Sequence, residues 1–281
     1  MKLAMSNIAW SAEERLDAYA ILAEAGITEL EIAPGIFFHA AADPFVPEEA
    51  IARTALREAA DAGLTLVSMQ SLLFGVTGAA LFEGTEARAA FERGMIRAIT
   101  LAGRFGIPNL VFGSPAQRSV PAGMAMDAAL AEAAAVFRRL GDHAAAAGTR
   151  ITIEANPAAY GTNFLNTLEE AEAFVQAVDH PGIALILDLG AMHINGSFDS
   201  VPTRLPGLMP RLHHVHVSEP DLVPAPAAAA PLVPVLRGLR AAGYAKAVSI
   251  EMKRSTKGLA DVRRAAARLA EAHQAAEAIH A

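Results

Sequence analysis

Eight short apolar runs recur along the chain, and long Ala-, Leu- and Glu-rich stretches with helical spacing separate most of them. Gly is the second residue of many of the runs, as expected where a helix stops before a strand. Strands that alternate with helices indicate a parallel sheet. The runs are LAMSNIAW (3–10), AGITELEIAP (25–34), AGLTLVSMQ (62–70), FGIPNLVFGS (105–114), AGTRITIEAN (147–156), PGIALILDLG (181–190), PRLHHVHVSE (210–219) and AGYAKAVSIE (242–251).

Eight such repeats in 281 residues predict an α/β fold, a (β/α)8 TIM barrel that forms one domain over residues 1–281. A doubly wound open sheet is the competing architecture. It lacks support because no strand is followed by the G-x-G-x-x-G turn that marks a dinucleotide-binding sheet.

Composition excludes several classes of function. The net charge of −7 argues against binding to nucleic acid or to an anionic membrane. There is no cysteine, so thiol catalysis is excluded and a metal site must use His, Asp and Glu. The start, MKLAMSNIAW, lacks the long apolar run of a signal peptide, and no stretch of about 18 apolar residues predicts a membrane span. We therefore expect a cytoplasmic protein.

Alternation within the later runs separates an apolar face from a polar face. In HHVHVSE, Val215 and Val217 share one parity, and His214 and His216 share the other. Because the apolar parity packs under the helices, the polar parity faces the barrel interior. This inward parity ends in a polar residue near the C-terminus of runs five to eight: Glu154, Asp188, His216 and Glu251.

Four such residues on consecutive strands meet at the C-terminal face, where TIM barrels carry their chemistry. Three carboxylates at close range stay ionised together only when a cation compensates them. The residues therefore predict a divalent metal site, and three oxygen ligands with one imidazole suit Mn²⁺, Mg²⁺ or Co²⁺. His214 shares the parity of His216 one layer deeper and could orient that ligand.

Other polar residues near the strand ends carry weaker signals. Glu31 could be a substrate contact or part of a buried ion pair, and the segment GSPAQR (113–118) could hold a phosphate or a polyol. Lys253 could bind substrate or form a salt bridge at the rim, and His193 could line the pocket or lie in a loop. The residues predicted to contact substrate are Gln70, Asn156, Tyr160, Asn163, His193, Glu219 and Lys253.

The whole chain resembles the sugar phosphate isomerase/epimerase group of the xylose-isomerase-like TIM barrel superfamily. The segments that carry the resemblance are SNIAW (6–10), ELEIAP (29–34), SMQSLLFG (68–75), LVFGSP (110–115), IEANPAAYGTNF (153–164), LILDLGAMHINGS (185–197), HVHVSEP (214–220) and IEMK (250–253). In ketose 3-epimerases of this group, a divalent metal is held by Glu, Asp, His and Glu, which correspond to Glu154, Asp188, His216 and Glu251.

The resemblance implies a metal-dependent isomerase or epimerase that acts on a sugar, keto-sugar or sugar phosphate. Its two glutamates, Glu154 and Glu251, would transfer a proton through an enediolate, and the enzyme could assemble as a homo-oligomer. The chain departs from the epimerase pattern at three substrate-gripping positions, where it has Ala191, Leu222 and Tyr160 in place of His, Arg and Glu.

Three alternatives remain open from the sequence. A metal-dependent lyase or dehydratase would use the same enolate but expel a leaving group. An apurinic-site endonuclease shares the barrel, although that chemistry uses a multi-zinc cluster with more histidines and a basic DNA track. A non-catalytic sugar-binding protein would retain the barrel without turnover.

Overall fold

A computed structural model of the protein describes residues 1–278. Its eight parallel strands follow one another around a closed barrel in sequence order, and β8 pairs with β1. The predicted (β/α)8 architecture is thereby confirmed. The strands are β1 Lys2–Ser6, β2 Glu29–Ile32, β3 Thr65–Met69, β4 Asn109–Phe112, β5 Arg150–Ile153, β6 Ile183–Asp188, β7 Leu212–Val217 and β8 Ala247–Ile250.

Ten α-helices lie within residues 1–278, and they supply the connections between the strands. None of them combines the length and the hydrophobicity that a bilayer crossing requires. The helices are α1 Arg15–Glu24, α2 Pro34–Phe37, α3 Glu49–Asp61, α4 Thr85–Phe105, α5 Met126–Ala146, α6 Leu168–Val178, α7 Leu189–Ile194, α8 Val201–Leu208, α9 Leu232–Ala241 and α10 Leu259–Glu277.

Local signals in the sequence account for several helix ends. Helix α6 begins with a capping box, in which the Thr167 hydroxyl accepts from the Glu170 amide at 3.2 Å and the Glu170 carboxylate accepts from the Thr167 amide at 3.3 Å. Helix α4 ends at Phe105 and is followed by Gly106, whose φ of 64° is a left-handed conformation that glycine adopts without a steric penalty. Glycine therefore separates α4 from β4, as its place before the apolar run predicts.

The chain divides into two compact units, one formed by Met1–Val67 with the chain from Asp188 onward and the other by Ser68–Leu187. The boundaries fall inside β3 and at the last residue of β6. The single domain expected over residues 1–281 stays a prediction.

Strand register in the first unit sets the depth of its polar residues. In the β7–β8 pair, His216 lies opposite Ser249 and Val217 opposite Ile250. The Glu251 amide donates to the Val217 carbonyl at 3.0 Å. Glu251 therefore lies just beyond β8, two residues past the position opposite His216.

A chain of aromatic rings fills the core of the second unit. Phe137 on α5 lies 5.0 Å from Phe112, 5.5 Å from Phe174 and 6.3 Å from Phe91, measured between ring centroids. All four side chains are buried. Because one ring contacts three others, Phe137 joins α4, β4, α5 and α6 around one apolar centre.

We expect Phe137→Ala to lower the free energy of unfolding by about 3–5 kcal/mol, because it removes a fully buried ring and leaves a cavity. Urea unfolding followed by circular dichroism measures the change. Phe74→Ala is the control, since the Phe74 side chain is 59% exposed. Equal destabilisation by the two substitutions would contradict the conclusion that packing around Phe137 stabilises the core of the second unit.

Candidate metal centre

The β7 strand delivers two imidazoles to one carboxylate on β2. His216 Nε2 lies 3.0 Å from Glu31 Oε1, and His214 Nε2 lies 2.8 Å from Glu31 Oε2. All three residues are buried, and so are Val215 and Val217, which have the opposite parity on β7. His214 and His216 thus lie on the same face of β7, as predicted, and both contact Glu31.

The two imidazoles control the charge of Glu31. Burial alone raises the pKa of the Glu31 carboxyl, but His216 and His214 outweigh that effect and hold its pKa well below the usual range. An ionised Glu31 accepts a hydrogen bond from the Nε2–H of His216. A neutral His216 that carries its proton on Nε2 has its lone pair on Nδ1, which is the arrangement found behind many metal-bound histidines.

Two carboxylates lie on the Nδ1 side of His216. Glu251 Oε2 is 3.2 Å from His216 Nδ1, and Asp188 Oδ2 is 3.7 Å from it. Asp188 ends β6 and caps α7 by accepting from the Ala191 amide at 2.5 Å. Ser218 donates its hydroxyl to Asp188 Oδ2 at 2.6 Å. Each carboxylate is therefore supplied by the end of a strand.

The donor set of this unit fits a divalent cation. Ligand atoms of Asp188, His216 and Glu251 lie within 4.8 Å of one another. With Glu31, three buried carboxylates surround two imidazoles, and burying that much negative charge is costly without compensation. Two carboxylate oxygens and an imidazole nitrogen are ligands that Mn²⁺, Mg²⁺ and Co²⁺ accept.

Glu154 belongs to the other unit, where it follows β5 directly. Register pairs Phe112 with Ile153, so Gly113 lies beside Glu154. A Cβ atom added at Gly113 would come within 2.3 Å of Glu154 Oε2, and Asn156 Nδ2 donates to the same oxygen at 2.9 Å. The carboxylate therefore occupies a notch that only glycine leaves open.

Arg118 is fully buried close to Glu154. Its guanidinium donates to the Glu154 carbonyl at 2.8 Å and to the Leu165 carbonyl at 3.3 Å. Burial lowers the pKa of Arg118 to about 10, although the negative charge of Glu154 opposes this effect. Both terminal nitrogens of Arg118 bond backbone carbonyls inside the protein, so this side chain is not placed to bind a phosphate. Binding of a phosphate or a polyol by the rest of GSPAQR stays a prediction.

Several residues predicted to contact substrate also make contacts that organise the loops. Asn163 exchanges two hydrogen bonds with the backbone of Val120, at 2.7 and 2.9 Å. The Glu219 carboxylate accepts from the Ala227 amide at 2.8 Å. His193 stacks on Phe198 with a centroid separation of 3.9 Å. Substrate contact by these residues stays a prediction.

The remaining predicted contacts differ in exposure. Gln70 is buried just after β3, and Asn156 is buried beside Glu154. Tyr160 is half-buried in the short 3-10 turn Ala158–Tyr160, and Lys253 is exposed after β8. A role in substrate binding stays a prediction for each of them.

The sequence gives little indication that Ser218 and Arg118 hold other residues of the site in place. Ser218 bridges Asp188 Oδ2 and the Gly190 amide, with its hydroxyl 2.8 Å from that amide. Arg118 reaches the end of β5 from the loop after β4. A lone Ser or Arg after a strand is common, so only the spatial contacts reveal these roles.

A family model described as xylose isomerase-like TIM barrel matches residues 19–276. The chain belongs to this family. Among curated protein sequences, none matches it significantly.

Solved structures of three enzymes share the fold over almost the whole chain. A 3-keto-D-glucoside 4-epimerase from E. coli superposes with a TM-score of 0.76 at 18% identity, covering 98% of this chain and 99% of that one. A D-psicose 3-epimerase from Clostridium cellulolyticum H10, solved with D-tagatose, superposes with a TM-score of 0.73 at 17% identity, covering 99% of this chain and 98% of that one. A D-allulose 3-epimerase from Methylomonas sp., solved with D-allulose, superposes with a TM-score of 0.73 at 21% identity, covering 96% of this chain and 95% of that one. At these identities the likeness establishes the fold alone.

We expect Glu31→Gln to weaken Mn²⁺ binding about 10- to 100-fold, because the variant loses the charge that holds the His216 tautomer. Calorimetric titration of metal-stripped protein with Mn²⁺ measures the affinity. Glu29→Gln is the matched control: Glu29 is a buried glutamate on the same strand, but it pairs with Lys2 at 3.0 Å. Unchanged affinity in Glu31→Gln would show that this carboxylate does not support a metal ligand.

Proposed function

We propose that the protein is a divalent-metal-dependent isomerase or epimerase of a sugar, keto-sugar or sugar phosphate. The observation that carries the proposal is the convergence of Asp188 and Glu251 on His216 Nδ1, with Glu31 behind the imidazole. Family membership supports the same conclusion. The solved structures of similar fold include ketose and keto-sugar epimerases, and this sets the class of substrate to test.

Glu154 is proposed as a further ligand beside Asp188, His216 and Glu251, as the sequence predicts. Its position just after β5 is equivalent to that of Glu251 just after β8, and the Gly113 notch and Asn156 fix its carboxylate. The chemistry that a bound Mn²⁺, Mg²⁺ or Co²⁺ supplies is Lewis-acid stabilisation of negative charge that develops on a carbonyl oxygen.

Glu154 and Glu251 are the proposed acid/base pair. One glutamate removes the proton from the carbon beside the carbonyl, and the other carboxyl group returns a proton. Return to the opposite face of the same carbon gives epimerisation, whereas return to the neighbouring carbon exchanges aldose and ketose. Asn156 donates to Glu154 Oε2 and so keeps that carboxylate in one orientation.

The substrate-gripping residues set this chain apart from ketose 3-epimerases. Ala191 and Leu222 provide no side-chain hydrogen bond at two of the three changed positions. We propose that Gln70, Asn156, Tyr160, Asn163, His193, Glu219 and Lys253 contact the substrate instead. Cytoplasmic location and homo-oligomeric assembly stay predictions from the sequence.

We expect Glu251→Gln to lower kcat by at least about 10²-fold, since general acid/base catalysis contributes that much or more. The assay follows metal-dependent incorporation of solvent deuterium into a panel of ketoses, keto-sugars and their phosphates. Glu29→Gln is the control and should keep wild-type turnover.

Deuterium in a recovered or isomerised sugar supports the proposal. An eliminated product would identify a lyase, and cleavage of abasic DNA would identify an endonuclease. Purified wild-type protein that binds none of the three metals, or a Glu251→Gln variant with wild-type kcat, would refute the assignment.

A further inference from the structure

A buried arginine joins the loops that follow β4 and β5. Arg118 comes directly after the 3-10 turn Pro115–Gln117, and its side chain is 0% exposed. Charged side chains are rarely buried to this extent unless their contacts compensate the lost hydration. The hydrogen bonds of Arg118 therefore indicate the structural role of its buried charge.

The guanidinium reaches Glu154 by two routes. One terminal nitrogen donates directly to the Glu154 carbonyl at 2.8 Å. The other donates to the Leu165 carbonyl, which also accepts from the Asn156 amide at 3.0 Å. Asn156 in turn donates from Nδ2 to the Glu154 carboxylate. Both routes end on the same residue, one at its backbone and one at its side chain.

The same loop shapes the space for the Glu154 carboxylate. Gly113 opens the notch that holds Oε2, and Arg118 lies five residues further along the same loop. Leu165, whose carbonyl the arginine holds, has a φ of 57°, a left-handed conformation that a leucine rarely adopts. Such a conformation persists only where the surrounding contacts enforce it.

Other contacts already hold the two loops together. Asn163 bonds the Val120 backbone twice, and the Ser119 hydroxyl donates to the Gly161 carbonyl at 3.2 Å. None of these bonds involves Glu154 or Asn156. Loop attachment therefore has its own contacts, and the contacts of Arg118 are directed at the end of β5.

We infer that Arg118 is a positioning residue, which fixes the carboxyl end of β5 so that Glu154 presents its carboxylate from the Gly113 notch. This inference rests on the proposed function, in which Glu154 is a metal ligand and a proton-transfer group. The planar fork of arginine is required, because one group must donate to two carbonyls in different directions.

The test compares Arg118→Lys and Arg118→Met with Arg138→Lys. Lysine keeps the charge but not the fork, and methionine keeps neither. Arg138 is a matched control, because its guanidinium also donates to two backbone carbonyls, those of Ala177 and Val178, but it joins α5 to the end of α6. We measure kcat and KM, Mn²⁺ affinity by calorimetry, the thermal midpoint, and hydrogen exchange of the Asn156 amide.

We expect Arg118→Lys to lower kcat and Mn²⁺ affinity by about 10- to 100-fold each, with KM changed less than about threefold. The losses of kcat and Mn²⁺ affinity should be larger in Arg118→Met than in Arg118→Lys. The Asn156 amide should exchange at least about tenfold faster in both variants. Arg138→Lys should keep wild-type kcat, Mn²⁺ affinity and Asn156 exchange, even where its thermal midpoint falls.

Wild-type kcat and metal affinity in a folded Arg118→Lys would overturn the inference, whatever its thermal midpoint. Equal losses in Arg138→Lys would show a general effect of destabilisation and would also overturn it. If neither Arg118 variant folds, the residue serves the fold itself and the inference fails. A wild-type protein without metal binding or turnover would refute the proposed function, and hydrogen exchange at Asn156 would then decide the positioning role alone.

Discussion

The contact between Glu31 and His216 is the constraint on which the first unit's polar centre depends. A buried carboxylate needs compensation, and two imidazoles from β7 provide it. The same contact directs His216 Nδ1 towards Asp188 and Glu251. An interaction between β2 and β7 therefore determines which nitrogen of His216 faces the carboxylates. Compensation of the buried charge and orientation of the proposed metal ligand thus have one cause.

Polar side chains around the strand ends serve largely to hold one another. Ser218 donates to Asp188, Asn156 donates to Glu154, and the Glu219 carboxylate accepts from the Ala227 amide. Preorganisation of this kind matters for proton transfer, because the reacting groups must keep their geometry before substrate arrives. The proposed chemistry thus depends on hydrogen bonds within the protein as well as on contacts with the substrate.

Much of the barrel could be predicted from the sequence, although the residues at which its strands begin and end could not. Seven of the eight apolar runs contain a whole strand, and β1 begins at Lys2, one residue before the first run. Each strand is shorter than its run. In FGIPNLVFGS, Phe105 ends α4 and only Asn109–Phe112 form β4. Hydrophobicity marks burial in either element, and hydrogen bonding decides where one stops. The parity of β7 likewise predicted that His214 and His216 share a face, because alternation is a local property of a strand.

The sequence by itself determined the number and order of the strands, the inward face of β7 and the supply of ligand-type side chains at strand ends. Those features follow from local periodicity and from the chirality of βαβ connections. Only the tertiary structure decided that Glu31 bonds both histidines, that Ser218 bonds Asp188, and that Arg118 is buried against the end of β5 rather than exposed to bind phosphate. These contacts join residues 30 to 185 positions apart, and nothing in the local pattern encodes such distances.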